Sequence, residues 1–300
     1  MTQEKPWHIM DIDDFRILSA VAKHGSMNRA ATKLHMVQSN VTARVRQLED
    51  ELGVSLFVRH SRGVTLSEAG QRLLSYSGRI GALFQEAIAS VKEDGIPNGA
   101  LRIGSLEQTL SQHLSPTLMQ YTARYPAVAL TITTGNTPDL IEQLLERSVD
   151  GAFVLGPVGH SDLAEEPIFC DDLILVTGLA TPTLEELRNA KDLRALVRAE
   201  GCSYRKLLIG ILDTHGINHQ VMALASSIAI RNLVEANAGV ALITRSALTG
   251  VWNEATVVVH ELPKALAQVE TVFICKADRP NSSALEAFLL LSRAASNITT

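Results

Sequence analysis

Residues 15–70 decide the fold of the N-terminal part of the chain and read FRILSAVAKHGSMNRAATKLHMVQSNVTARVRQLEDELGVSLFVRHSRGVTLSEAG. Apolar residues at helical spacing predict a first helix over 11–24, and Gly25 is a typical residue for ending it. Ser26 is a suitable N-cap for a second, short helix over 27–34. A third helix follows after a link of three residues. This succession predicts a helix-turn-helix.

The third helix is predicted to begin near Gln38 and to have two different faces. Its apolar stripe consists of Val41, Val45, Leu48 and Leu52. Its opposite face carries Ser39, Ala43 and Arg46, with Asn40 and Thr42 beside them. Short polar side chains allow a helix to enter the major groove of DNA, where Asn and Arg can hydrogen-bond base edges. A three-helix bundle with an ordinary polar surface would show the same pattern, so the helices alone leave both interpretations open.

The charge is unevenly distributed. The net charge of −5 by itself argues against a nucleic-acid partner. However, residues 1–95 carry 12 Lys and Arg against 11 Asp and Glu, whereas residues 96–300 carry 15 against 21. Residues 15–48 contain no acid, and their basic residues are Arg16, Lys23, Arg29, Lys33, Arg44 and Arg46. Because folded surfaces usually mix both signs, this stretch favours a surface for an anion, with chance as the alternative.

Residues 15–70 resemble the N-terminal domain of LysR-type transcriptional regulators. The matching elements, in order, are Gly25-Ser26, Arg29-Ala30-Ala31, Leu34-His35, Gln38-Ser39, Arg46, Leu48-Glu49, Leu52-Gly53, Leu56-Phe57, Arg59, Gly63 and Leu66-Ser67-Glu68-Ala69-Gly70. One departure is Val37, where the family usually has Ser or Thr, and it weakens the expected cap of the third helix. The resemblance implies a winged helix-turn-helix, with residues 59–63 as a basic wing beside the minor groove.

The residues expected to contact double-stranded promoter DNA lie on the second helix and its cap, on the third helix and on the wing. They are Ser26, Asn28, Arg29, Gln38, Ser39, Asn40, Thr42, Ala43, Arg44, Arg46, Arg59 and Arg62. For the two wing arginines, the competing interpretation is ordinary solvated loop charge.

Residues 71–92 lack proline and are expected to form a linker helix. Apolar residues recur at intervals of three and four, at Leu73, Tyr76, Ile80, Leu83, Phe84, Ala87 and Val91. This spacing favours pairing with the same helix of a second subunit, and packing within one chain is the alternative. Residues 93–99, with two glycines and a proline, mark a hinge. We therefore predict a DNA-binding domain over 1–70, a dimerising linker over 71–95 and a regulatory domain over 96–300.

From residue 100 onward, strands and helices alternate, which predicts a parallel sheet with helices on both faces. Neither a Walker sequence nor a GxGxxG motif occurs there. The region resembles the effector domain of LysR-type regulators, and the matching phrases are 103–107, 125–126, 150–154 and 233–243. The resemblance implies an α/β multidomain protein whose C-terminal part has the two-lobed periplasmic-binding-protein fold. Lobe one would comprise 100–163 and 267–300, lobe two 164–266, and two chain crossings would form a hinge.

A small-molecule effector is expected beyond the carboxyl ends of strands, where helix N-termini carry partial positive charge. The residues at such positions in the two lobes are Ser105, Leu106, Thr109, Thr133, Thr134, Cys202, Ser203, Ser226 and Ser227. Their hydroxyls and free amides suit a small carboxylate, and Arg205 is a candidate counter-ion. Ordinary helix capping is the alternative for each residue taken singly.

Other signals argue against other classes of protein. The cysteines, Cys170, Cys202 and Cys275, are odd in number and far apart, so neither a disulfide framework nor a zinc ribbon is expected. The histidines show no metal-ligand spacing, and no cofactor is expected. No apolar run reaches the roughly 18 residues of a membrane span, and no signal-peptide core begins the chain, so a cytoplasmic protein without membrane contact is expected. Cys202 is a candidate redox sensor, although no second cysteine lies nearby in the sequence.

These observations predict a ligand-responsive transcription factor that acts as a homodimer or homotetramer. The resemblance also implies contact with RNA polymerase. A solute-binding protein and a metabolic enzyme of α/β fold are the alternatives. The acid-free stretch and the missing export signal argue against the first. The lack of a catalytic constellation argues against the second, so no enzymatic activity is expected.

Overall fold

The computed structural model describes residues 10–61, 63–92, 95–181, 183–190, 192–198, 201–248, 252, 254–278 and 282–296. The chain divides into two compact units, one of residues 1–93 with the short segment 146–148, the other of residues 94–145 and 149–300. Among the helices described, none combines the length and the apolar character that crossing a membrane requires.

The first unit consists of four helices and a two-stranded hairpin. These are α1 (Ile12–His24), α2 (Met27–Leu34), α3 (Gln38–Leu52), β1 (Phe57–His60), β2 (Gly63–Leu66) and α4 (Glu68–Lys92). Leu18, Val41 and Leu56 are buried in its single apolar core. The predicted helices, the turn between them and the wing hairpin are confirmed. Arg62 lies outside the described residues.

Local capping explains where the helices begin and end. The Asp11 carboxylate accepts hydrogen bonds from the backbone N–H groups of Asp13 and Asp14 and so caps α1. Gly25 ends α1 in the left-handed conformation, with φ of 60°. The Ser26 hydroxyl accepts a hydrogen bond from the first turn of α2. By contrast, Val37 gives α3 no side-chain cap, which is the weakness expected from the sequence.

The hairpin is held against the turn that follows α1. The backbone N–H of Val64 donates to the Gly25 carbonyl oxygen at 3.0 Å. Gly63 has a φ of 141°, and a Cβ at this position would collide with the same carbonyl. Only glycine therefore allows β2 to begin so close to the helix-turn-helix.

α4 begins by packing on α1 and continues with exposed apolar side chains. Ser77 is buried, and its hydroxyl donates to the Phe15 carbonyl oxygen at 3.1 Å. Further along, Leu83, Phe84 and Val91 are exposed. The contact with α1 thus accounts for the start of α4 but leaves this apolar row uncovered.

The second unit contains nine strands and eight α-helices among its described elements. They are β3 (Gly99–Ser105), α5 (Glu107–Thr109), α6 (Ser115–Arg124), β4 (Val128–Thr134), α7 (Thr137–Leu145), β5 (Gly151–Leu155), β6 (Leu163–Gly178), α8 (Leu184–Asn189), β7 (Arg194–Arg198), α9 (Ser203–Thr214), β8 (Gln220–Leu224), α10 (Ser227–Glu235), β9 (Ala241–Thr244), β10 (Val257–Glu261), α11 (Lys264–Ala267), β11 (Gln268–Lys276) and α12 (Ser283–Ser296). A π-helical segment, Leu110–Leu114, joins α5 to α6.

The strands form two lobes with mixed rather than parallel pairing. In lobe one the order is β4-β3-β5-β11-β6, with β3 parallel to β4 and β5. In lobe two, β6 lies between β10 and β9 and pairs antiparallel with each of them. β7 and β8 are parallel, and β7 adjoins the start of β9 through a bridge between Ala195 and Val240. The predicted parallel sheet is therefore only partly correct, because β6 and β11 run antiparallel to their neighbours.

The 16-residue strand β6 passes through both lobes. Phe169 belongs to the core of lobe one, whereas Leu173 belongs to a core of lobe two. The crossing thus lies at residues 170–172, which pair with residues 268–270 of β11. The predicted end of lobe one at residue 163 is wrong by about seven residues. A strand can continue from one sheet into the next without a turn, so no breaker residue marks the boundary.

A buried acid–histidine contact lies at this crossing. His113 Nε2 is 2.6 Å from Asp171 Oδ2, and the imidazole stacks on the Phe169 ring at 4.6 Å between centroids. Since His113 is on the π-helical segment of lobe one, the contact fixes the crossing strand to that lobe.

His260 on β10 makes the stability of lobe two dependent on pH. Its side chain is buried, and Nε2 lies 2.8 Å from the Thr177 hydroxyl. Loss of water lowers the pKa of His260, although a hydrogen bond with the Thr181 backbone opposes this effect. The unfolded chain therefore takes up a proton first, and stability is lost as the pH falls from about 6.5 towards the folded pKa.

We expect the melting temperature of the wild-type protein to fall more steeply between about pH 7 and about pH 5 than that of His260→Gln. Thermal unfolding followed by circular dichroism measures this difference. Equal slopes for the two proteins would contradict the assignment to His260.

Candidate functional site

One face of α3 is open to solvent and carries short polar and basic side chains. Gln38, Ser39, Asn40, Ala43 and Arg46 are exposed on it, and Thr42 is half-buried beside them. No described residue forms an ion pair with Arg46. Such a face can approach the edges of base pairs and offers a free guanidinium to guanine or phosphate.

Arg44 does not contribute to this face. Its Nε donates to Asp14 Oδ1 at 2.5 Å, and its Nη2 donates to Asp14 Oδ2 at 2.9 Å and to Asp11 Oδ2 at 3.0 Å. Asp14 is only 1% exposed. The hydrogen bond with Asp14 is the main cause that raises the pKa of Arg44. The prediction that Arg44 contacts DNA is therefore corrected, since its charge neutralises a buried carboxylate.

The hairpin formed by β1 and β2 presents Arg59 to solvent. It is fixed to α3 by Glu49, whose Oε1 accepts hydrogen bonds from the backbone N–H groups of Leu56 at 2.7 Å and Phe57 at 3.1 Å. A second bond stiffens the hairpin itself, between His60 Nε2 and the Thr65 hydroxyl at 2.7 Å. The contacts of Glu49 therefore hold α3 and the β1–β2 hairpin, the two elements that could enter adjacent grooves of DNA, in a fixed position relative to each other.

Removal of the Glu49 carboxylate should destabilise the first unit and loosen the hairpin. Glu49→Ala leaves two backbone donors unpaired, and we expect a loss of about 2 kcal/mol in the free energy of unfolding. Urea unfolding measures this loss. Glu49→Gln keeps one acceptor oxygen and should recover part of it. Glu51→Ala, at an exposed position on the same helix, is the control and should change the stability by less than about 0.5 kcal/mol.

A cleft of about 480 Å³ lies between the two lobes of the second unit. Lobe one contributes the residues that follow β3 and β4, and lobe two contributes the end of β7 and the first turns of α9 and α10. This volume is typical of a site for a small molecule. Burial raises the pKa of the Tyr204 hydroxyl in the wall, so this group is a neutral hydrogen-bond donor.

Polar contacts join the lobes across the cleft. Glu107, after β3, forms an ion pair with Arg198 at the end of β7. Arg198 Nη1 also donates to the Ser227 hydroxyl at 3.0 Å. Nearby, the Gln112 side-chain oxygen accepts hydrogen bonds from the hydroxyls of Thr244 and Ser246, each at 2.8 Å. The cleft is therefore bridged at two places by groups that can exchange partners.

Two family models match the chain and together cover nearly all of it. Residues 12–71 match the model described as "Bacterial regulatory helix-turn-helix protein, lysR family", and residues 94–296 match the "LysR substrate binding domain". The chain is a LysR-type transcriptional regulator. Its helix-turn-helix domain and its effector-binding domain are those that the sequence predicted.

Curated relatives support the same assignment over almost the full length. The chain is 38% identical over 281 residues to the transcriptional regulator YofA of Bacillus velezensis, covering 93% of this chain and 96% of that protein. It is 37% identical over 281 residues to the regulator GltR of Bacillus subtilis, covering 93% and 95%. Full-length CbnR in complex with its target DNA shares the fold, with a TM-score of 0.69, 22% identity and coverage of 95% and 100%.

The cleft of this LysR-type regulator contains five of the nine predicted effector residues. Those that line it are Leu106, Thr134, Cys202, Ser203 and Ser227. The other four were predicted wrongly as lining residues. Ser105 is fully buried and its hydroxyl donates to the Leu106 carbonyl oxygen, Thr109 is buried, Thr133 points away on the alternate side of β4, and the Ser226 hydroxyl caps α10 by accepting from the Ala229 N–H.

Several polar residues of the regulator's cleft were not predicted from the sequence. Glu107 and Gln112 lie in the helical turns after β3, and Arg198 lies at the end of β7. Their position at the carboxyl ends of strands is the signal in the sequence that points to them, as it does for the hydroxyl residues there. Arg205, considered as a counter-ion, does line the cleft.

On the helix-turn-helix side, the remaining predicted residues are placed as follows. Asn28 and Arg29 are exposed on α2, and Ser26 is the half-buried cap of that helix.

Cys202 is half-buried in the cleft wall, and it is a free thiol. Within the described ranges, no group of three or more His, Cys, Asp or Glu could hold a metal ion.

Proposed function

We propose that this LysR-type regulator binds promoter DNA by inserting α3 into the major groove while the β1–β2 hairpin lies beside the minor groove. The observation that carries this proposal is the exposed face of α3, which combines short polar groups with the guanidinium of Arg46, a group that forms no ion pair with any described residue. The proposed contacts are Ser26, Asn28, Arg29, Gln38, Ser39, Asn40, Thr42, Ala43, Arg46 and Arg59. Arg62 remains a sequence-based prediction.

The protein is proposed to act as a dimer or a tetramer in which α4 helices pair. The support is the row of exposed apolar side chains on α4, among them Leu83, Phe84 and Val91. A lone winged helix contacts only a few base pairs, and two copies would supply a site of two half-sites. The proposed domains remain 1–70, 71–95 and 96–300. Contact with RNA polymerase and action in the cytoplasm belong to the same proposal.

The effector is proposed to be a small molecule with a carboxylate that binds between the lobes. Its support is the cleft volume together with the guanidinium groups of Arg198 and Arg205 in one wall. Rotation of the lobes about β6 and β11 would change the arrangement of the DNA-binding units in the oligomer. This role requires no chemical step on the effector.

A nuclease footprint of the purified protein on the DNA upstream of its own coding sequence tests the proposal. We expect protection of two half-sites whose centres are about one helical turn, or a multiple of it, apart. No protection at moderate salt, either alone or with small carboxylates added, would overturn it.

A further inference from the structure

The charged side chains that line the cleft are segregated between its two walls. Among the described residues of the lining, lobe one contributes two carboxylates, Glu107 and Asp139, and lobe two contributes two guanidinium groups, Arg198 and Arg205. The cleft is therefore negative on one wall and positive on the other. A site for a simple anion would be expected to be basic on both walls, and the described walls do not have this distribution of charge.

One carboxylate and one guanidinium already pair with each other across the cleft. The side chains of Glu107 and Arg198 are 50% and 39% exposed, so water screens their attraction. Ser227 contacts both partners, because its hydroxyl lies 3.0 Å from Arg198 Nη1 and 3.4 Å from Glu107 Oε2. An exposed ion pair of this kind opens at low cost when each partner receives a replacement.

The other two charges have no such partner. Neither Asp139 nor Arg205 forms an ion pair within the part of the chain that the structure describes. Arg205 lies in the first turn of α9, whose N-cap Cys202 provides no side-chain hydrogen bond. Asp139 lies in the first turn of α7 on the opposite wall. The cleft therefore presents one uncompensated negative group and one uncompensated positive group in addition to the pair.

We infer that the effector is a small zwitterion, a compound with both an ammonium and a carboxylate group such as an α-amino acid. This inference rests on the proposed function of the cleft and names the class of its ligand. The ligand carboxylate is received by Arg205 and Arg198, and the ligand ammonium by Glu107 and Asp139. A zwitterion inserted between Glu107 and Arg198 replaces the one ion pair that bridges the lobes by two ion pairs to the ligand, one from each lobe.

Ligands of a single charge fit this arrangement less well. A carboxylate without an ammonium would displace Glu107 from Arg198 and leave two acidic side chains close to a third negative charge. An amine without a carboxylate would leave Arg205 unpaired and Arg198 deprived of Glu107. Only a compound with both charges satisfies both walls.

Thermal unfolding of the full-length protein with a matched panel of probes tests the inference. Each common α-amino acid is compared at about 10 mM with its 2-hydroxy acid, which lacks the ammonium, and with its methyl ester, which lacks the carboxylate. We expect at least one amino acid to raise the melting temperature. Titration should show that both analogues of that amino acid bind at least about tenfold more weakly.

Two variants assign the charges to their walls. The double variant Glu107→Gln/Asp139→Asn should make the hydroxy acid bind to within about twofold of the amino acid, because both groups that select the ammonium are lost. Arg205→Gln should weaken the amino acid and the hydroxy acid alike by about tenfold, with little effect on the ester. Glu185→Gln and Arg188→Gln, at exposed positions of α8 that do not line the cleft, should bind as the wild type does.

The inference is overturned if no α-amino acid raises the melting temperature, or if a hydroxy acid binds the wild type as tightly as its amino acid. Both outcomes concern the unmodified protein and so do not depend on the folding of a variant. A footprint with the same preparation separates this failure from that of the proposed function. If DNA is protected and the protection changes with a purely anionic ligand, the proposed regulatory function stands and the inference of a zwitterionic effector is wrong.

Discussion

Arg46→Glu is expected to abolish specific DNA binding while leaving the fold and the effector cleft unchanged. Arg46 is exposed on α3, so the substitution disturbs no buried contact. It removes a cation from the surface that is proposed to face DNA and would place an anion beside the phosphates. We expect the affinity for the upstream DNA to fall by about 100-fold or more, because each lost base or phosphate contact costs about 1–3 kcal/mol and repulsion adds to it.

Fluorescence anisotropy with labelled upstream DNA at several salt concentrations measures this loss. The control is Arg188→Glu, which makes the same charge change at an exposed position of α8 in the second unit. The control should bind DNA to within about threefold of the wild type, and both variants should melt at the wild-type temperature. An affinity of Arg46→Glu close to that of the control would exclude Arg46 from the interface.

Arg44→Ala is expected to have the opposite profile, with a large loss of stability and little direct effect on DNA contacts. The substitution leaves the carboxylate of Asp14 buried with the Asp11 N–H, at 2.8 Å, as its remaining described donor. Removing one partner of a buried ion pair typically costs about 3–5 kcal/mol. Since the Arg44 side chain is 31% exposed and water can partly replace it, we expect about 3 kcal/mol.

Urea unfolding of Arg44→Ala, Arg44→Lys and the double variant Arg44→Ala/Asp14→Asn tests this assignment. Lysine restores the charge but not the two-pronged geometry, so it should recover only part of the stability. The double variant should be more stable than Arg44→Ala, because no buried carboxylate remains. At a temperature where Arg44→Ala is folded, its DNA affinity should stay within about threefold of the wild type. If Arg44→Ala kept the wild-type stability but lost most of its affinity for DNA, Arg44 would be a DNA-contacting residue after all.

The parts of the fold that depend on neighbouring residues could be predicted from the sequence. The limits of α1 and α2 follow from Gly25 and Ser26, and both were predicted to within one residue. The hairpin around Gly63 was implied by the resemblance to the LysR-type family. Arg44 was misjudged because its partner Asp14 lies 30 residues away, and neither helical spacing nor an acid-free stretch shows that two helices bring these groups together.

The same limit applies to the cleft. The carboxyl ends of strands were a sufficient guide to Thr134, Ser203 and Ser227. Whether a side chain there faces the cleft depends on strand register and on helix packing, and for that reason Ser105 was misplaced. The pairing of Glu107 with Arg198 joins residues 91 positions apart, in different lobes, and no local pattern encodes it.

The strand β6 also limits how the effector specificity of this protein can be altered. Because one unbroken strand of 16 residues belongs to both sheets and β11 accompanies it, neither lobe is a transferable module. Grafting a foreign lobe would sever two strands within hydrogen-bonded ladders. By contrast, the residues that line the cleft lie at strand ends and in first helical turns, where side chains can be replaced without disturbing those ladders. New ligand preferences in such a protein should therefore arise by point substitution around a retained scaffold rather than by exchange of lobes between relatives.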